Sequence, residues 1–400
     1  MRQIGDFRQG TPTSGNELPW PPSRFTDLEC LYEPRWQVSP VLRVRLPGGD
    51  RAWLVTGYED VYKVLTNHRQ FGMRPAPMHR GRAPAAVRVS RILRLDGAEH
   101  RRIRNMLMRV LDARGSSFVP HVEAAVRECL DGMEQAGPPA DLVALYASRV
   151  PLLVTCRLLG LPFEDREIFH AQGTAELFRI GSSSEASGAF AQRALDYIGQ
   201  VVADQLDTPK DDLISDLLSA GEFSVDEVTE NIAGLLVAGY EAPAGMLSKG
   251  AAVLMDEPAL LATLGGDAKE RSRLVEELLR YISIIQYGVD RVALEDVQVG
   301  GQYIAKGEAV IALLPAANHD PRHAPRPNTV NAASSAVRHL AFGHGAHSCL
   351  GQQLSRVMLD IALRRLFEQF PSLHPVENLT DCPQRDDYLV GGYVRLEVAW

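Results

Sequence analysis

The sequence predicts a mainly α-helical protein with minor β-sheets, folded as a single domain over residues 1–400. Helical spacing of apolar residues dominates from about residue 99 to 282, whereas strand-like alternation is confined to short stretches outside that region. No Pro/Gly/Ser-rich linker, low-complexity tract or internal repeat divides the chain. Hydrophobic residues make up 45% and charged residues 23% of the sequence, a composition that can bury a large core.

The first predicted elements are a strand and then a helix in residues 51–67, "RAWLVTGYEDVYKVLTN". Alternating apolar positions begin this stretch, and helical spacing ends it. Residues 71–97 have no sustained period and are rich in Pro, Gly and Arg, which predicts a long loop. Loops of this length inside a compact domain usually carry function or move.

A long helix is predicted from residue 225 onward. Ser224 and Glu227 fit a capping box, in which a hydroxyl and a carboxylate bond the unpaired amides of the first turn. Apolar residues surround this helix on all sides, so we expect it to run through the protein interior. Downstream, residues 297–314 predict two strands around a Gly-rich turn, and residues 389–400 predict a second hairpin.

The formal charge of −8 argues against non-specific binding to nucleic acid, although residues 100–109 form a short basic run. The first 15 residues lack the apolar segment of a signal peptide, and no apolar stretch approaches the length of a membrane span. We therefore expect a soluble, cytoplasmic monomer that binds neither nucleic acid nor membrane.

Five cysteines are scattered without CxxC spacing, so the sequence indicates neither a disulfide framework nor a cysteine cage for zinc. Only Cys349 has unusual neighbours, in "HLAFGHGAHSCLGQQLSR", residues 339–356. Gly343, Gly345 and Gly351 let this loop pass closely against a flat, bulky group, and the following helix favours a thiolate at its N-terminus. Taken alone, the cysteine is more simply an ordinary helix-start thiol, but a thiolate held against a planar group indicates a haem-iron ligand.

The complete spacing Phe342-x-x-Gly345-x-x-x-Cys349-x-Gly351 is more specific, and it closely resembles the haem-binding loop of the cytochrome P-450 superfamily. The resemblance implies that Cys349 is the axial thiolate ligand, that Phe342 shields its sulfur, and that His347 reaches a haem propionate. It also implies the family's fold, in which the haem lies between the long central helix and the helix after the cysteine.

Other parts of the chain agree with this resemblance. Glu277 and Arg280 match the family's buried ion pair, and their i, i+3 spacing puts both side chains on one helix face. His100 and Arg104, at i and i+4, match a pair that binds the haem propionates. The resemblance implies further haem contacts at Arg291, His339, Gly343 and Ala238.

The resemblance spans about residues 50–400 and is nearest to soluble bacterial members of the family. It implies haem b as cofactor, O2 as co-substrate, and electrons that arrive from NAD(P)H through a separate ferredoxin and ferredoxin reductase. The implied activity is hydroxylation or epoxidation of a specialised small molecule in a bacterial secondary-metabolite pathway such as antibiotic biosynthesis. The resemblance also implies that the substrate can be one tethered to a carrier protein.

One departure from the family pattern is at Thr329-Val330, where an arginine followed by an aromatic residue is usual. That arginine normally joins the network of Glu277 and Arg280. The network is therefore either incomplete or completed by Arg326.

A second departure is Ala242, which stands where a threonine usually follows the acid, here Glu241. Because Ala242 cannot donate a hydrogen bond, protons must come through ordered water, Glu241 or a hydroxyl on the substrate. Pro243 lacks the amide that would bond the Gly239 carbonyl, which predicts a kink or bulge and a water site in the oxygen-binding groove. The alternative is that Ala242-Pro243 only shapes the pocket.

The substrate pocket is expected above the haem, bounded by the loop 72–95 and by residues 234–246, 284–289 and 389–393. Tyr287 is the best-placed pocket residue, and further contacts are expected at Gly234, Val289 and Gly391. Aryl coupling, desaturation and peroxide-driven oxidation are alternative activities. A haem-binding sensor or scaffold is the alternative outside catalysis.

Overall fold

The computed structural model of the chain describes residues 18–19, 39–46, 49–73, 90, 92–162, 185–332 and 338–400. Most of the long loop predicted for residues 71–97 lies outside these ranges, as does Cys30. Helices carry most of the described residues and the sheets are small, which confirms the predicted fold class.

The α-helices are α1 (Tyr58–Thr66), α2 (Gly97–Arg114), α3 (Val119–Ala136), α4 (Arg149–Leu159), α5 (Glu185–Asp207), α6 (Leu213–Ser219), α7 (Val225–Asp256), α8 (Ala259–Leu264), α9 (Ala268–Ile282), α10 (Leu314–Asn318) and α11 (Gln352–Gln369). The β-strands are β1 (Leu18–Pro19), β2 (Val41–Arg45), β3 (Arg51–Val55), β4 (Phe71–Gly72), β5 (Ala140–Asp141), β6 (Val289–Ala293), β7 (Val297–Val299), β8 (Gln302–Ile304), β9 (Ala309–Ala312), β10 (His374–Pro375) and β11 (Glu397–Ala399). The strand and helix predicted within residues 51–67 are therefore confirmed as β3 and α1.

Helix α7 is the long interior helix that the sequence predicts. Its capping box is present: the Ser224 hydroxyl accepts from the Glu227 amide at 3.2 Å, and the Glu227 carboxylate accepts from the Ser224 amide at 3.1 Å. Residues on all sides of α7 are buried. The helix continues without a break through Pro243.

The main sheet has the strand order β1-β2-β3-β9-β6-β4, with β3 and β9 parallel and β9 and β6 antiparallel. Strands β7 and β8 form the predicted hairpin, in which Gly300 and Gly301 have φ values of +53° and +78°. Glycine favours such a two-residue turn because both positions need positive φ. The remainder of the stretch 297–314 supplies β9, which joins the main sheet instead of the hairpin.

The hairpin predicted for residues 389–400 is wrong. Strand β11 pairs with β5 and β10, while Val390 and Tyr393 form isolated bridges to Ile285 and Gln384. Alternation of apolar residues predicts extended backbone but does not identify the partner strand.

Packing divides the hydrophobic core between the helices and the main sheet. Helices α3, α4, α7, α9 and α11 share one apolar cluster, and the main sheet packs against α1 in another. No helix in the described part of the chain combines the length and apolar character required to span a bilayer.

Buried His319, which follows α10, makes the stability of the protein depend on pH. The residue is 1% exposed, and burial lowers its pKa from 6.5 to about 3. Below pH 6.5 the unfolded chain therefore takes up a proton that the folded protein does not accept until about pH 3. The contribution of neutral His319 to the unfolding free energy is therefore complete above pH 6.5 and is lost as the pH falls toward 3.

We expect the wild type to lose about 2 kcal/mol of unfolding free energy by pH 5 through this residue. His319→Gln should remove that part of the pH dependence, measured by urea denaturation between pH 8 and pH 5. His374→Gln, at an exposed histidine, is the matched control. Parallel pH curves for wild type and His319→Gln would contradict the prediction.

Candidate active site around Cys349

The loop that carries Cys349 is closed by its own backbone. The Cys349 amide donates to the Phe342 carbonyl at 2.9 Å, and the Gly343 amide donates to the Leu340 carbonyl at 2.8 Å. Gly343 and Gly345 have φ values of +65° and +75°, which L-residues with a Cβ rarely adopt. The loop therefore depends on glycine at both positions.

Two glycines of the loop differ in what surrounds them. A Cβ on Gly345 would lie 2.6 Å from the Leu65 carbonyl oxygen at the end of α1, so glycine allows a close approach of two backbones. Gly351 caps α11 with φ −86°, and a Cβ there would have no described protein atom within 4 Å. No described protein segment therefore makes the close approach expected at Gly351, and the approach of a flat group there stays a prediction.

The side chain of Cys349 is exposed, yet enough protein surrounds the sulfur that desolvation raises the pKa of its thiol. The Gly351 amide and the charges of Arg104 and Arg356 act in the opposite direction without reversing the shift. The helix start thus favours the thiolate as the sequence predicts, although desolvation of the thiolate is the larger effect. A coordinated metal cation would deprotonate such a thiol.

Three of the predicted propionate contacts lie around one carboxylate. The rings of His100 and His347 are 4.1 Å apart, and His347 Nε2 is 3.0 Å from Asp96 Oδ1. Asp96 also accepts from the Met73 amide at 2.6 Å, and its charge interacts with Arg291. Although Asp96 occupies the N-cap position of α2, its side chain makes no capping bond. Sequence reasoning missed this residue, whose position alone indicates only a helix cap.

Burial is the largest influence on the protonation of these groups. With the nearby charges of His347 and Arg104, it lowers the pKa of His100 from 6.5 to about 4. It also lowers the pKa of Arg291 to about 10. At neutral pH, His100 is thus neutral and Arg291 is a buried cation.

The other predicted contacts have protein partners of their own. Arg104 donates to the Ser348 carbonyl and hydroxyl at 2.7 and 2.9 Å, which ties α2 to the cysteine loop. His339 Nε2 lies 3.1 Å from Glu276 on α9. Arg356 also binds Glu276, at 2.5 Å, and stands 4.7 Å over the ring of Phe342. His339 therefore belongs to a polar cluster around Glu276, separate from the His100–His347 pair. Phe342 lies beside that cluster, under Arg356.

Glu276 is the centre of that second cluster. Desolvation opposes ionisation of its carboxyl, but hydrogen bonds from His339 and Arg356 lower its pKa to about 2. The carboxylate therefore fixes two cationic or hydrogen-bonding side chains beside the cysteine loop.

The buried ion pair predicted at Glu277 and Arg280 is present, with N–O distances of 2.8 and 2.9 Å and side chains 10% and 2% exposed. Arg280 also donates to the carbonyls of Asn318, Pro327 and Thr329, at 2.8 to 3.0 Å. Backbone groups thus complete the network. Arg326 is exposed and does not join it.

The Asn331 amide supplies the remaining donor of this network, 3.0 Å from Glu277 Oε1. It takes the place that the family pattern assigns to an arginine side chain. A backbone amide can do so because it is a fixed donor that carries no charge to be desolvated.

In the middle of helix α7, one face is more exposed to solvent than the residues around it. Ala238 is exposed, and Leu235, Gly239 and Ala242 are half-buried, while their neighbours on the helix are buried. The spacing 235, 238, 239, 242 defines a single helix face. Ala242 on this face and Phe342 in the cysteine loop both pack against the apolar cluster shared by α3, α4, α7, α9 and α11.

Glu241, next to that face, is 1% exposed and accepts from Arg385 Nη1 at 2.5 Å. Arg385 is held by its own backbone: its amide donates to the Gly392 carbonyl, and its carbonyl accepts from Gln286, each at 2.9 Å. Sequence reasoning missed Arg385 because it lies 144 residues from Glu241. No local pattern marks such a pair.

The Gly239 carbonyl, freed by Pro243, accepts from the Thr155 hydroxyl of α4 at 3.1 Å. The sequence predicts water as the donor to this carbonyl, and the structure shows that the Thr155 side chain is a donor to it. Helix α7 continues through Pro243 without a bulge, and the kink that the sequence gives as the other outcome stays a prediction.

The four predicted pocket residues are buried or half-buried, and three of them contact neighbouring protein groups. Tyr287 is 3% exposed, and its hydroxyl donates to the Asp386 carbonyl. Gly234 packs against Ser90 and Gly391 against Gln286, whereas Val289 is half-buried at the start of β6. Contact of these residues with a substrate stays a prediction.

These residues fit a haem. The described ranges contain no group of three or more His, Cys, Asp or Glu side chains that could hold a bare metal ion. One accessible thiol is the appropriate donor for a metal that an organic ring already coordinates. His100, Arg104, Arg291 and His347 offer donors to carboxylates, and the small side chains of Ala238 and Ala242 leave room for a flat group.

Comparisons with known proteins agree with this geometry. The Cytochrome P450 family model matches residues 272–390. The chain is 36% identical to Cytochrome P450 CYP105Q4 of Mycobacterium marinum, with 90% of each chain covered. It is 35% identical to nocardicin C N-oxygenase of Nocardia uniformis subsp. tsuyamanensis, over 98% of this chain and 100% of that protein. The crystal structure of CYP105P1 in complex with filipin I has a TM-score of 0.87 and 33% identity, covering 96% of this chain and 99% of that one.

The helical fold and the accessible cysteine in its glycine loop define a haem-thiolate oxygenase. The chain belongs to the cytochrome P450 family, and it is a P450 monooxygenase of the bacterial type. The family binds haem through a cysteine thiolate and uses O2 and a supply of electrons.

Gly345→Ala tests the loop conformation. Positive φ costs an L-residue about 1–2 kcal/mol, and the added Cβ would also meet the Leu65 carbonyl. We expect the unfolding free energy to fall by about 2 kcal/mol or more, measured by chemical denaturation, with a lower haem content after purification.

Gly132→Ala is the control, because it lies inside α3 with no described atom within 4 Å of the added Cβ. It should leave the stability unchanged or raise it by up to about 1 kcal/mol. Unchanged stability of Gly345→Ala would show that the loop adopts another conformation.

Proposed function

We propose that this P450 activates O2 to hydroxylate or epoxidise a specialised small molecule in a bacterial secondary-metabolite pathway. The observations that carry the proposal are the accessible Cys349 in its glycine loop and the small-residue face of α7, with Glu241 buried next to that face. The relative named nocardicin C N-oxygenase supports a role in antibiotic biosynthesis. A substrate tethered to a carrier protein remains within this proposal.

The proposed cofactor is haem b with Cys349 as its thiolate ligand. His100, Arg104, Arg291 and His347 would bind its propionates, because they are the buried or half-buried donors beside the cysteine loop. When bound, the haem supplies O2 activation and oxygen transfer. His339 is a weaker candidate for a propionate, since Glu276 already binds its ring.

The proposed electron source is NAD(P)H, through a ferredoxin and a ferredoxin reductase in the cytoplasm. We propose that four arginines near the thiolate side attract this acidic partner: Arg101, Arg102, Arg356 and Arg364. Three of them form ion pairs within the protein: Arg102 with Glu227, Arg356 with Glu276, and Arg364 with Glu368. Arg101 is exposed, and the charges of the other three are partly offset by these carboxylates.

Proton delivery is proposed to be unusual because Ala242 has no hydroxyl. Glu241 is present, but Arg385 binds its carboxylate at 2.5 Å in a buried setting. A carboxylate held in this way accepts hydrogen bonds and has to leave its partner before it can pass on a proton. We therefore favour ordered water or a hydroxyl of the substrate as the immediate proton donor.

Carbon monoxide binding tests the proposed ligand. Reduced protein with CO should show the red-shifted Soret band of sulfur ligation. Cys349→Ala should lose this band, while alanine at Cys129, Cys156 or Cys382 should retain it. A histidine-type spectrum for the wild type would reject the ligand assignment.

Ala242→Thr tests proton delivery, measured as product formed per NADH consumed with a surrogate ferredoxin and reductase. The added hydroxyl should improve coupling for poor substrates, which lack a donor of their own. With the true substrate it should give no gain or a loss, because misplacing one proton donor commonly costs on the order of 10²-fold.

The outcomes of the turnover assay separate the alternatives. Improved coupling with every substrate would mean that Ala242-Pro243 only shapes the pocket. Product formed from peroxide but not from NADH would indicate a peroxygenase, and coupled or desaturated products would indicate the other alternative activities. Haem binding without turnover of any ligand that shifts the haem spin state would indicate a sensor or scaffold.

A further inference from the structure

Thr155 joins two helices through its hydroxyl. It lies within α4, is 4% exposed, and donates to the Gly239 carbonyl of α7 at 3.1 Å. A threonine inside a helix commonly bonds a carbonyl three or four residues earlier in its own helix. Because a hydroxyl has one proton, donation to Gly239 leaves none for α4.

The Gly239 carbonyl needs this donor because of Pro243. In a regular α-helix the amide of residue 243 would bond that carbonyl, and proline has no amide hydrogen. A carbonyl that packs against a neighbouring helix without any donor is costly. Yet α7 continues through Pro243 without a break. The Thr155 hydroxyl therefore substitutes for the amide that Pro243 lacks.

Gly239 allows the two helices to approach closely enough for the bond. A Cβ at this position would lie 3.0 Å from Thr155 Oγ1 and 3.2 Å from its Cγ2, tighter than ordinary contacts. Three features are thus complementary: no Cβ at Gly239, no amide hydrogen at Pro243, and a hydroxyl at Thr155.

The position of this contact connects it with the reaction. Gly239 lies between the exposed Ala238 and the half-buried Ala242, on the open face of α7, two residues before Glu241. A shift of the backbone at Gly239 would move both alanines and the acid. The direction of the Gly239 carbonyl also decides whether water in the groove can bond to it.

We propose that Thr155 is a positioning residue for proton delivery: its hydroxyl turns the Gly239 carbonyl toward α4 and withholds it from water in the groove. This inference rests on the proposed monooxygenase function. Without the hydroxyl, the carbonyl should recruit a water molecule that supplies protons out of place. O2, two electrons and two protons would then leave as H2O2, and no oxygen atom would enter the substrate.

The test is a cycle of four holoproteins: wild type, Thr155→Val, Pro243→Ala and the double variant. Valine keeps the shape of threonine and removes the hydroxyl, whereas Pro243→Ala restores an amide for Gly239. Thr155→Ser retains a hydroxyl. Thr229→Val removes a matched hydroxyl-to-carbonyl bond of 2.9 Å in the first turns of α7. The readouts are amide hydrogen exchange of residues 236–248 and H2O2 released per NADH consumed.

We expect Thr155→Val to speed exchange in this segment about ten-fold, the effect of one lost hydrogen bond, and to raise the H2O2 fraction several-fold. Both effects should be small when Pro243→Ala is already present. Thr155→Ser should resemble the wild type, and Thr229→Val should leave the H2O2 fraction unchanged.

Equal effects of Thr155→Val in the presence and absence of Pro243 would overturn the proposal, because Thr155 would then only pack. Faster exchange without a change in H2O2 would also overturn it, since the bond would be structural alone. Hydrogen exchange does not depend on turnover. A failure of the monooxygenase function would therefore appear in the CO spectrum and leave the exchange result interpretable.

Discussion

The hydrogen bond from the Cys349 amide to the Phe342 carbonyl closes the cysteine loop, and the rest of the site is arranged around that closure. It requires positive φ at Gly343 and Gly345, and it places Ser348 within reach of Arg104 from α2. The loop therefore acts as a rigid platform for the thiol. Binding groups on rigid, packed segments are more precisely placed than those on unsupported loops.

The central helix α7 differs from the cysteine loop, because its polar groups lie in a buried environment and need hydrogen-bond partners there. Three of these groups are matched by segments far away in the sequence. Arg385 binds Glu241, Gln384 accepts from Lys249 at 2.9 Å, and Thr155 bonds the Gly239 carbonyl. Burial lowers the pKa of Lys249 to about 8, which shows how strongly this surrounding disfavours charge. The bonds of Glu241 and Lys249 therefore hold residues 384–385 in place, and those residues in turn satisfy the polar groups of α7.

The ion pair of Glu277 and Arg280 shows how the backbone can accommodate a departure from a family pattern. The pair is buried, so an unsatisfied charge there would destabilise the protein. Carbonyls of Asn318, Pro327 and Thr329 and the amide of Asn331 complete its hydrogen bonding. A side chain can be replaced when what it supplied was a donor at a fixed position, because the backbone offers the same group.

The sequence by itself determined the fold class, the capping and burial of α7, the ion pair at α9, and the cysteine loop. These features depend on apolar periodicity, local capping chemistry and fixed spacing, all of which are present within a few residues of one another. It also identified Ala242 and Pro243 as departures, because residue chemistry alone shows a missing hydroxyl and a missing amide.

Only the tertiary structure decided which groups meet across the fold. Thr155 and Gly239 are 84 residues apart, and Glu241 and Arg385 are 144 apart, so no local spacing connects them. The same limit explains why β11 pairs with β5 and β10 instead of forming a hairpin. It also explains why the Cys349 thiol is governed by burial more than by the helix start. Desolvation and long-range hydrogen bonding depend on the whole packed chain, and a linear pattern records only the residues that are available for them.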